Sequence, residues 1–394
     1  MAGISDLQSS LLTHRRQFPA LQGKAYFNYG GQGPMPEAAI AAIQASFRQV
    51  QEIGPFSGQS NAWITQEAEL TRAAIAAELG VTGDTISLTE DVSVGCNIAL
   101  WGIDWQAGDH LLLSDCEHPG IIAAAQEIQR RFGVELSTCP LQATLNGGDP
   151  VAVVAQHLQP NTRLFVVSHI LWNTGQVLPL EAIVRVCHDR PLPVLVLVDA
   201  AQSVGVLPLN LAQIQADFYA FTGHKWWCGP EGVGGLYVRP EARQELSPTF
   251  IGWRGIVTDA TGHPTGWKAD SKRYEIATSA YPLFAGLRAA IACQHQIGSV
   301  GERLQRIQSL SHYLWQQLQQ IPEITCLRTS APEAGLVSFR LPGQSHKNLV
   351  QFLEQNQILV RTILNPDCLR ACVHYLTLET EIDQLVAAIQ KFLA

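Results

Sequence analysis

Between residues 36 and 240 the apolar side chains change spacing again and again. In EAAIAAIQASFRQVQ (37–51) they recur every three or four positions, which predicts a helix with one buried stripe. IIAAAQEIQRRFG (121–133) and LEAIVRVCHDR (180–190) read the same way. Between them lie short apolar runs that predict strands: HLLLSD (110–115), RLFVVSHI (163–170), VLVLVDAA (194–201), DFYAFTG (217–223) and GGLYVRP (234–240). VLVLVDAA is almost wholly branched aliphatic, as in a parallel strand buried on both faces. Helices alternating with such strands predict an α/β layer fold around a mostly parallel sheet.

After residue 240 the pattern changes. Residues 241–280 are irregular and rich in Gly, Pro and Thr, which suits a connector. A helical region over 283–320 is followed by strands near 324–328 and 335–341, a helix over 346–356, strands over 358–363 and 371–376, and a helix over 379–393. We therefore expect a large α/β domain over 20–262 and a smaller α+β domain over 263–394, with residues 1–19 packing on the latter.

Composition supports a large core. Of 394 residues, 46% are apolar and only 15% charged. A net charge of −8 and the lack of any Lys/Arg cluster argue against a nucleic-acid partner. Nine cysteines without repeat spacing suit reduced thiols better than a disulfide framework, and Cys368 and Cys372, the one close pair, lack the partners of a zinc signature. The first residues, MAGISDLQSSLLTHRRQF, lack the apolar stretch of a signal peptide, and no run reaches membrane-helix length. A cytoplasmic protein, away from the membrane, is expected.

Ligands of open α/β sheets bind beyond the carboxyl ends of the strands. Three chemically able residues fall there. His118 follows HLLLSD, Asp199 ends VLVLVD with Gln202 close behind, and Lys225 follows DFYAFTGH in TGHKWWCGP. Each alone is unremarkable, since an Asp at a strand end is ordinarily a cap and a loop Lys ordinarily faces water. Together they have a known use. Pyridoxal phosphate forms a Schiff base with a lysine and needs an acid beside its pyridinium nitrogen.

The stretch VDAAQSVGVLPLNLAQIQADFYAFTGHKWWCGPEGVGGLYVRP resembles the core signature of the class V aminotransferase-like family, which includes the cysteine desulfurases. YFNYGGQGPMP, LTEDVSVGCNIAL, DCEHPG, RYEIATSAYPLFAGL and the end of the chain extend the likeness over nearly all residues. The resemblance implies the aspartate aminotransferase-like fold type I of pyridoxal phosphate enzymes. It implies that Lys225 holds the cofactor and then shuttles a proton, and that Asp199 pairs with the pyridinium nitrogen. Gln202 would lie at the ring's phenolic oxygen and His118 on its face. Ser93, Thr222 and His224 would contact the phosphate, and Thr278 would reach the phosphate of a neighbouring subunit, which implies a homodimer. Two departures stand out. Asp91 occupies a glycine position of the phosphate loop, and SHILWNTG replaces the usual Asn-x-x-Gly region, leaving Asn173 either to the ring oxygen or to substrate.

The resemblance also bears on the reaction. Arg370 matches the family's fork for the substrate α-carboxylate, and Arg361 would bind a second carboxylate if it faces the same site. The desulfurases' catalytic cysteine is missing, since Pro366 stands at its place and Cys368 is displaced by two. Within the family the chain looks most like the cystine C–S lyases. The expected reaction is β-elimination from cystine or cysteine to pyruvate, ammonia and cysteine persulfide or sulfide, with persulfide available to a sulfur acceptor protein for iron–sulfur cluster assembly. The alternatives are a desulfurase working through Cys368, a kynureninase-like hydrolase or an epimerase with Trp226 and Trp227 lining the site, or a protein that binds the cofactor without turnover. A nucleotide-binding module is disfavoured, because GPEGVGG (229–235) does not join a strand to a helix.

Overall fold

The computed structural model describes residues 10–394; residues 1–9 of the expected N-terminal packing segment lie outside them. Seven strands form the large sheet: β1 (Ile86–Thr89), β2 (His110–Ser114), β3 (Glu135–Cys139), β4 (Thr162–Ser168), β5 (Leu195–Asp199), β6 (Phe218–Thr222) and β7 (Gly234–Val238). Their order is β3-β2-β4-β5-β6-β7-β1. All are parallel except β7, which runs antiparallel to β6 and to β1. The expected α/β class is therefore present.

Side chains alternate between two cores. Leu112, Phe165, Val167, Val196 and Val198 join one, and Leu111, Leu113, Leu164, Val166 and Leu197 join the other. A strand covered on both faces has no polar side to show, which is why these runs look uniformly apolar in the sequence.

The smaller sheet is antiparallel. Its strands β8 (Thr325–Cys326), β9 (Leu336–Arg340), β10 (Arg361–Leu364) and β11 (Asp367–Cys372) lie in the order β8-β9-β11-β10. Helices Val300–Gln319, His346–Gln355 and Glu379–Leu393 contribute to the core on this sheet. The described N-terminal residues join this side of the molecule. Arg15 pairs with Glu381 and donates to the Leu376 carbonyl, His14 meets the Tyr375 hydroxyl at 3.2 Å, and Ala25–Tyr26 pairs in parallel with Ile358–Leu359. Helix Pro282–His295 instead sends Phe284, Leu287 and Ile291 into the core of the large sheet.

Several elements differ from the sequence pattern for identifiable reasons. Helix Gly58–Leu79 carries no clear apolar stripe because polar groups are buried within it. Arg72 forks the Glu275 carboxylate at 2.7 and 3.2 Å, and Thr71 is fully buried. Its ends do have local signals: Ser57 accepts from the Ser60 amide at 3.0 Å, and Gly80 closes it in the left-handed region at φ 66°. Strand β11 ends at Cys372 rather than continuing to 376. Residues 371–376 are all buried, so no alternation marks where pairing stops. No described helix is long and apolar enough to cross a membrane.

Candidate active site

Strand order reverses beside β2: the chain runs outward from β2 to the edge strand β3, then crosses to β4 on the other side. Loops at the carboxyl ends part at such a point and leave a crevice. A cavity of about 190 Å³ opens there. Its lining comes from residues far apart in sequence: Gly30, Asp91, Ser93, His118, Ser168, Trp172, Asp199, Gln202, His224, Lys225, Arg361 and Arg370 among them.

Asp199 is the last residue of β5 and is buried. One carboxylate oxygen accepts from the Ala201 amide at 2.9 Å, and the other has no bond among the described residues. Lys225 follows β6 in a loop held by the bonds from the Cys228 amide to the Lys225 carbonyl (3.0 Å) and from the Gly33 amide to the His224 carbonyl (2.7 Å). A side chain at Gly33 would stand 2.0 Å from that Lys225 carbonyl, so only glycine lets the two segments meet. Burial lowers the Lys225 ammonium to about 8, against an opposing pull from Asp199 and with a further push from Arg370 and Arg361. A lysine held this way is a usable amine near neutral pH.

His118 is the N-cap of helix Pro119–Phe132, and its Nδ1 accepts from the Gly120 amide at 3.2 Å. Its ring meets Trp172 edge-on, with centroids 5.4 Å apart. Burial lowers its pKa, aided by Lys225 and the two arginines although Asp199 opposes them, which favours the neutral ring. Gln202 is held at both ends. Its amide donates to the Gly30 carbonyl at 2.9 Å, and its oxygen accepts from Trp226 Nε1 at 2.8 Å. Trp226 is fully buried and Trp227 is 1% exposed; both belong to the hydrophobic cores.

The N-terminus of helix Val92–Gly102 faces the cavity through Val92 and Ser93. Asp91 lines the cavity too, and its carboxylate caps the helix by accepting from the Val94 amide at 2.9 Å. His224 lines the cavity, whereas Thr222 is buried behind it, bonded through Oγ1 to His224 Nδ1 at 2.7 Å.

Arg370, on β11, is 1% exposed. Its Nη1 donates to the Trp172 carbonyl at 2.6 Å, while Nε and Nη2 are buried without a partner. Arg361, on β10, is its register partner and lines the same cavity. Two cations directly opposite each other on a sheet repel, and an anion between them relieves the repulsion. A Cβ on Gly30 would lie 3.0 Å from Arg370 Nη2, so this glycine keeps the guanidinium reachable.

Besides Thr222, two expected residues stand apart from the lining. Asn173 donates to the Asn365 carbonyl at 3.1 Å, and its side-chain oxygen is buried without a partner. Thr278 lines a second cavity of about 670 Å³ with Trp253, Arg254 and Tyr281. Sequence reasoning passed over Ser168, Trp172 and the buried Glu117 just below the cavity. Glu117 sits in the DCEHPG motif next to His118, and the other two in SHILWNTG, so position was their only signal.

Comparison with known proteins agrees with this geometry. The family model described as "Aminotransferase class-V" matches residues 25–385. A cysteine desulfurase of Klebsiella pneumoniae (strain 342) is 29% identical over 402 residues, spanning 96% of this chain and 97% of its own. A solved structure of a complex between the cystine C–S lyase C-DES and its reaction product cysteine persulfide is 52% identical, with a TM-score of 0.92 over 94% of this chain and 98% of that one. A C-DES lysine-to-alanine mutant with glycine covalently linked to its PLP cofactor is also 52% identical, with a TM-score of 0.93 over 95% and 98% of the two chains. With the strand-end lysine, aspartate and arginines gathered in one crevice, the chain belongs to the class-V aminotransferase family.

Proposed function

We propose that the protein is a pyridoxal phosphate-dependent carbon–sulfur lyase that cleaves cystine by β-elimination. The observation that carries this reading is the Arg361–Arg370 pair, two guanidiniums in register over the cavity that holds Lys225 and Asp199. Cystine has two carboxylates to offer them.

The residues present suit the cofactor. Asp199 has a free carboxylate oxygen for a ring nitrogen, neutral His118 offers an apolar face, and Lys225 supplies an amine. The helix N-terminus at Val92–Ser93, with His224 and Thr222 behind it, suits a phosphate. Thr278 and the surface around it, with Phe56 96% exposed and Trp253 63% exposed, support a second copy covering that side and completing the phosphate site. A homodimer, a cytoplasmic location and a sulfur acceptor that takes the persulfide toward iron–sulfur clusters belong to the same reading. So does a division into two domains, 20–262 centred on the large sheet and 263–394 on the small one, with Ala25–Tyr26 and helix Pro282–His295 crossing over to the other side.

Pyridoxal phosphate supplies an electron sink for the charge left on Cα. Arg370 forks the α-carboxylate and so fixes the orientation of the Cα–H bond. Lys225, as the free amine, takes the Cα proton. Arg361 holds the distal carboxylate and with it the leaving half of the substrate. The Cβ–S bond breaks with its electron pair leaving on sulfur. Cysteine persulfide departs, and the three-carbon fragment takes up water to give pyruvate and ammonia. A persulfide is more acidic than a thiol, so it leaves as an anion with little help from a general acid.

A desulfurase mechanism through Cys368 fits less well. That thiol lies on β11, is fully buried, and burial pushes it up to about 11. No cysteine is among the residues lining the cavity. The test is pyruvate release from cystine by the Cys368→Ala protein. Lyase turnover close to wild type supports β-elimination, and loss of sulfur release with alanine as the wild-type product overturns it.

A further inference from the structure

The reaction above leaves unused a buried acid that adjoins the cavity. Glu117 is 3% exposed and is bonded to the ends of two strands. Its carboxyl accepts from Ser114 Oγ at the end of β2, and from the Ser168 amide and Ser168 Oγ, both at 2.9 Å, at the end of β4. Ser168 is in turn the register partner of Asp199 at the end of β5. The next residue along the chain is His118, whose backbone starts a helix. One carboxyl thus ties the end of β2, which leads into His118, to the end of β4, which lies beside Asp199.

All three bonding partners are neutral hydroxyl or amide groups, and a hydroxyl can also accept, so a protonated Glu117 donates to Ser168 Oγ from one oxygen while the other still accepts from the Ser168 amide. The titratable groups that face Glu117 are Asp199 from β5, Cys96 from helix Val92–Gly102, Cys139 from the end of β3 and Cys116 beside it. None is a cation. Two carboxylates that share a desolvated region do not both ionise readily. Asp199 has Lys225 near it and, on the reading above, a ring nitrogen to pair with. Glu117 has neither.

We propose that Glu117 is a positioning residue that works as a neutral acid: it keeps its proton next to the Asp199 carboxylate, and so braces Ser114, Ser168 and the His118 turn without adding a second negative charge beneath the cavity. Burial first, and the charge of Asp199 second, push this carboxyl up to about 8, against the lowering pull of the bonds from Ser114 and Ser168. The proposal rests on the cavity being the cofactor site, but its test follows a proton and not turnover, so failure of the substrate reading leaves it standing.

The experiment compares wild-type holoenzyme with Glu117→Gln. Infrared difference spectra at pH 7 should show a protonated carboxyl band in the wild type that Gln lacks. Urea unfolding across pH supplies the second readout. An acid with a raised folded pKa binds its proton more tightly in the folded state, so its contribution to stability is full below the unfolded value and is lost as pH rises through the folded value. The folded-to-unfolded ratio of wild type relative to Gln should therefore fall by about tenfold per pH unit between roughly pH 5 and 8 and level off above. A bystander glutamate that is ionised when folded would give no carboxyl band and a flat difference, and either result overturns the proposal. If Glu117→Gln does not fold, Ser168→Ala serves instead: it removes one bond to the acid and must shift the wild-type band, and an unshifted band overturns the assignment.

Discussion

Replacing Arg370 by lysine tests the substrate site most directly, because charge is kept while the planar fork is lost. In the folded chain the guanidinium is 1% exposed, spends Nη1 on the Trp172 carbonyl, and leaves Nε and Nη2 without partners. Those two donors are a matched pair for one carboxylate. A lysine ammonium reaches a carboxylate as a point donor, so one charge-assisted bond of about 1.5–3 kcal/mol is lost. That corresponds to a fall of about 10- to 150-fold in kcat/KM for cystine. Since the carboxylate is held before and during bond breaking, most of the loss should appear in KM. The control is cystamine, the same disulfide without carboxylates, measured by amine-dependent bleaching of the cofactor band. Wild type and Arg370→Lys should handle cystamine alike. A kcat/KM for cystine within about threefold of wild type would refute the fork. An equal loss on cystine and cystamine would instead show that the arginine merely supports the Trp172 loop.

Other outcomes follow from the same geometry. Arg361→Leu should raise KM for cystine by about tenfold while changing that for cysteine little, since only the disulfide has a distal carboxylate and one charged hydrogen bond is worth about 1.5 kcal/mol or more; equal effects on both would remove Arg361 from substrate binding. The apoenzyme should capture pyridoxal phosphate faster as pH rises through about 8, where Lys225 loses its proton. With this lysine lowered in the folded state, apoenzyme stability relative to Lys225→Met should also rise between pH 8 and the ordinary lysine value of about 10.4; urea midpoints check the sign. Gly33→Ala places a Cβ 2.0 Å from the Lys225 carbonyl, so the variant should lose cofactor binding and melt lower. Thermal scans and the visible cofactor band read both effects.

The sequence by itself determined the five inner strands of the large sheet, β2 and β4 to β7, and half of the chemistry. Those strands are buried on both faces, so their residues form unbroken apolar runs, and an Asp or Lys at the end of such a run is conspicuous. The edge strands β1 and β3 were not legible, because β1 is four residues long and half polar and β3 is largely uncovered. Asp199, Lys225 and His118 were legible for that reason. Helix Gly58–Leu79 was not, because the Arg72–Glu275 pair puts charge on its buried face and erases the stripe. The family likeness gave Arg370 a role and Arg361 a conditional one, but whether the two face one site was not legible. Only pairing of β10 with β11 sets them opposite each other, and only docking of that sheet against the Trp172 loop leaves two donors of Arg370 without partners. Glu117 was hidden for the same reason. A carboxyl in a turn looks solvated until strands β2 and β4 close around it, and burial beside Asp199 is a property of three strand ends that meet only in the folded chain.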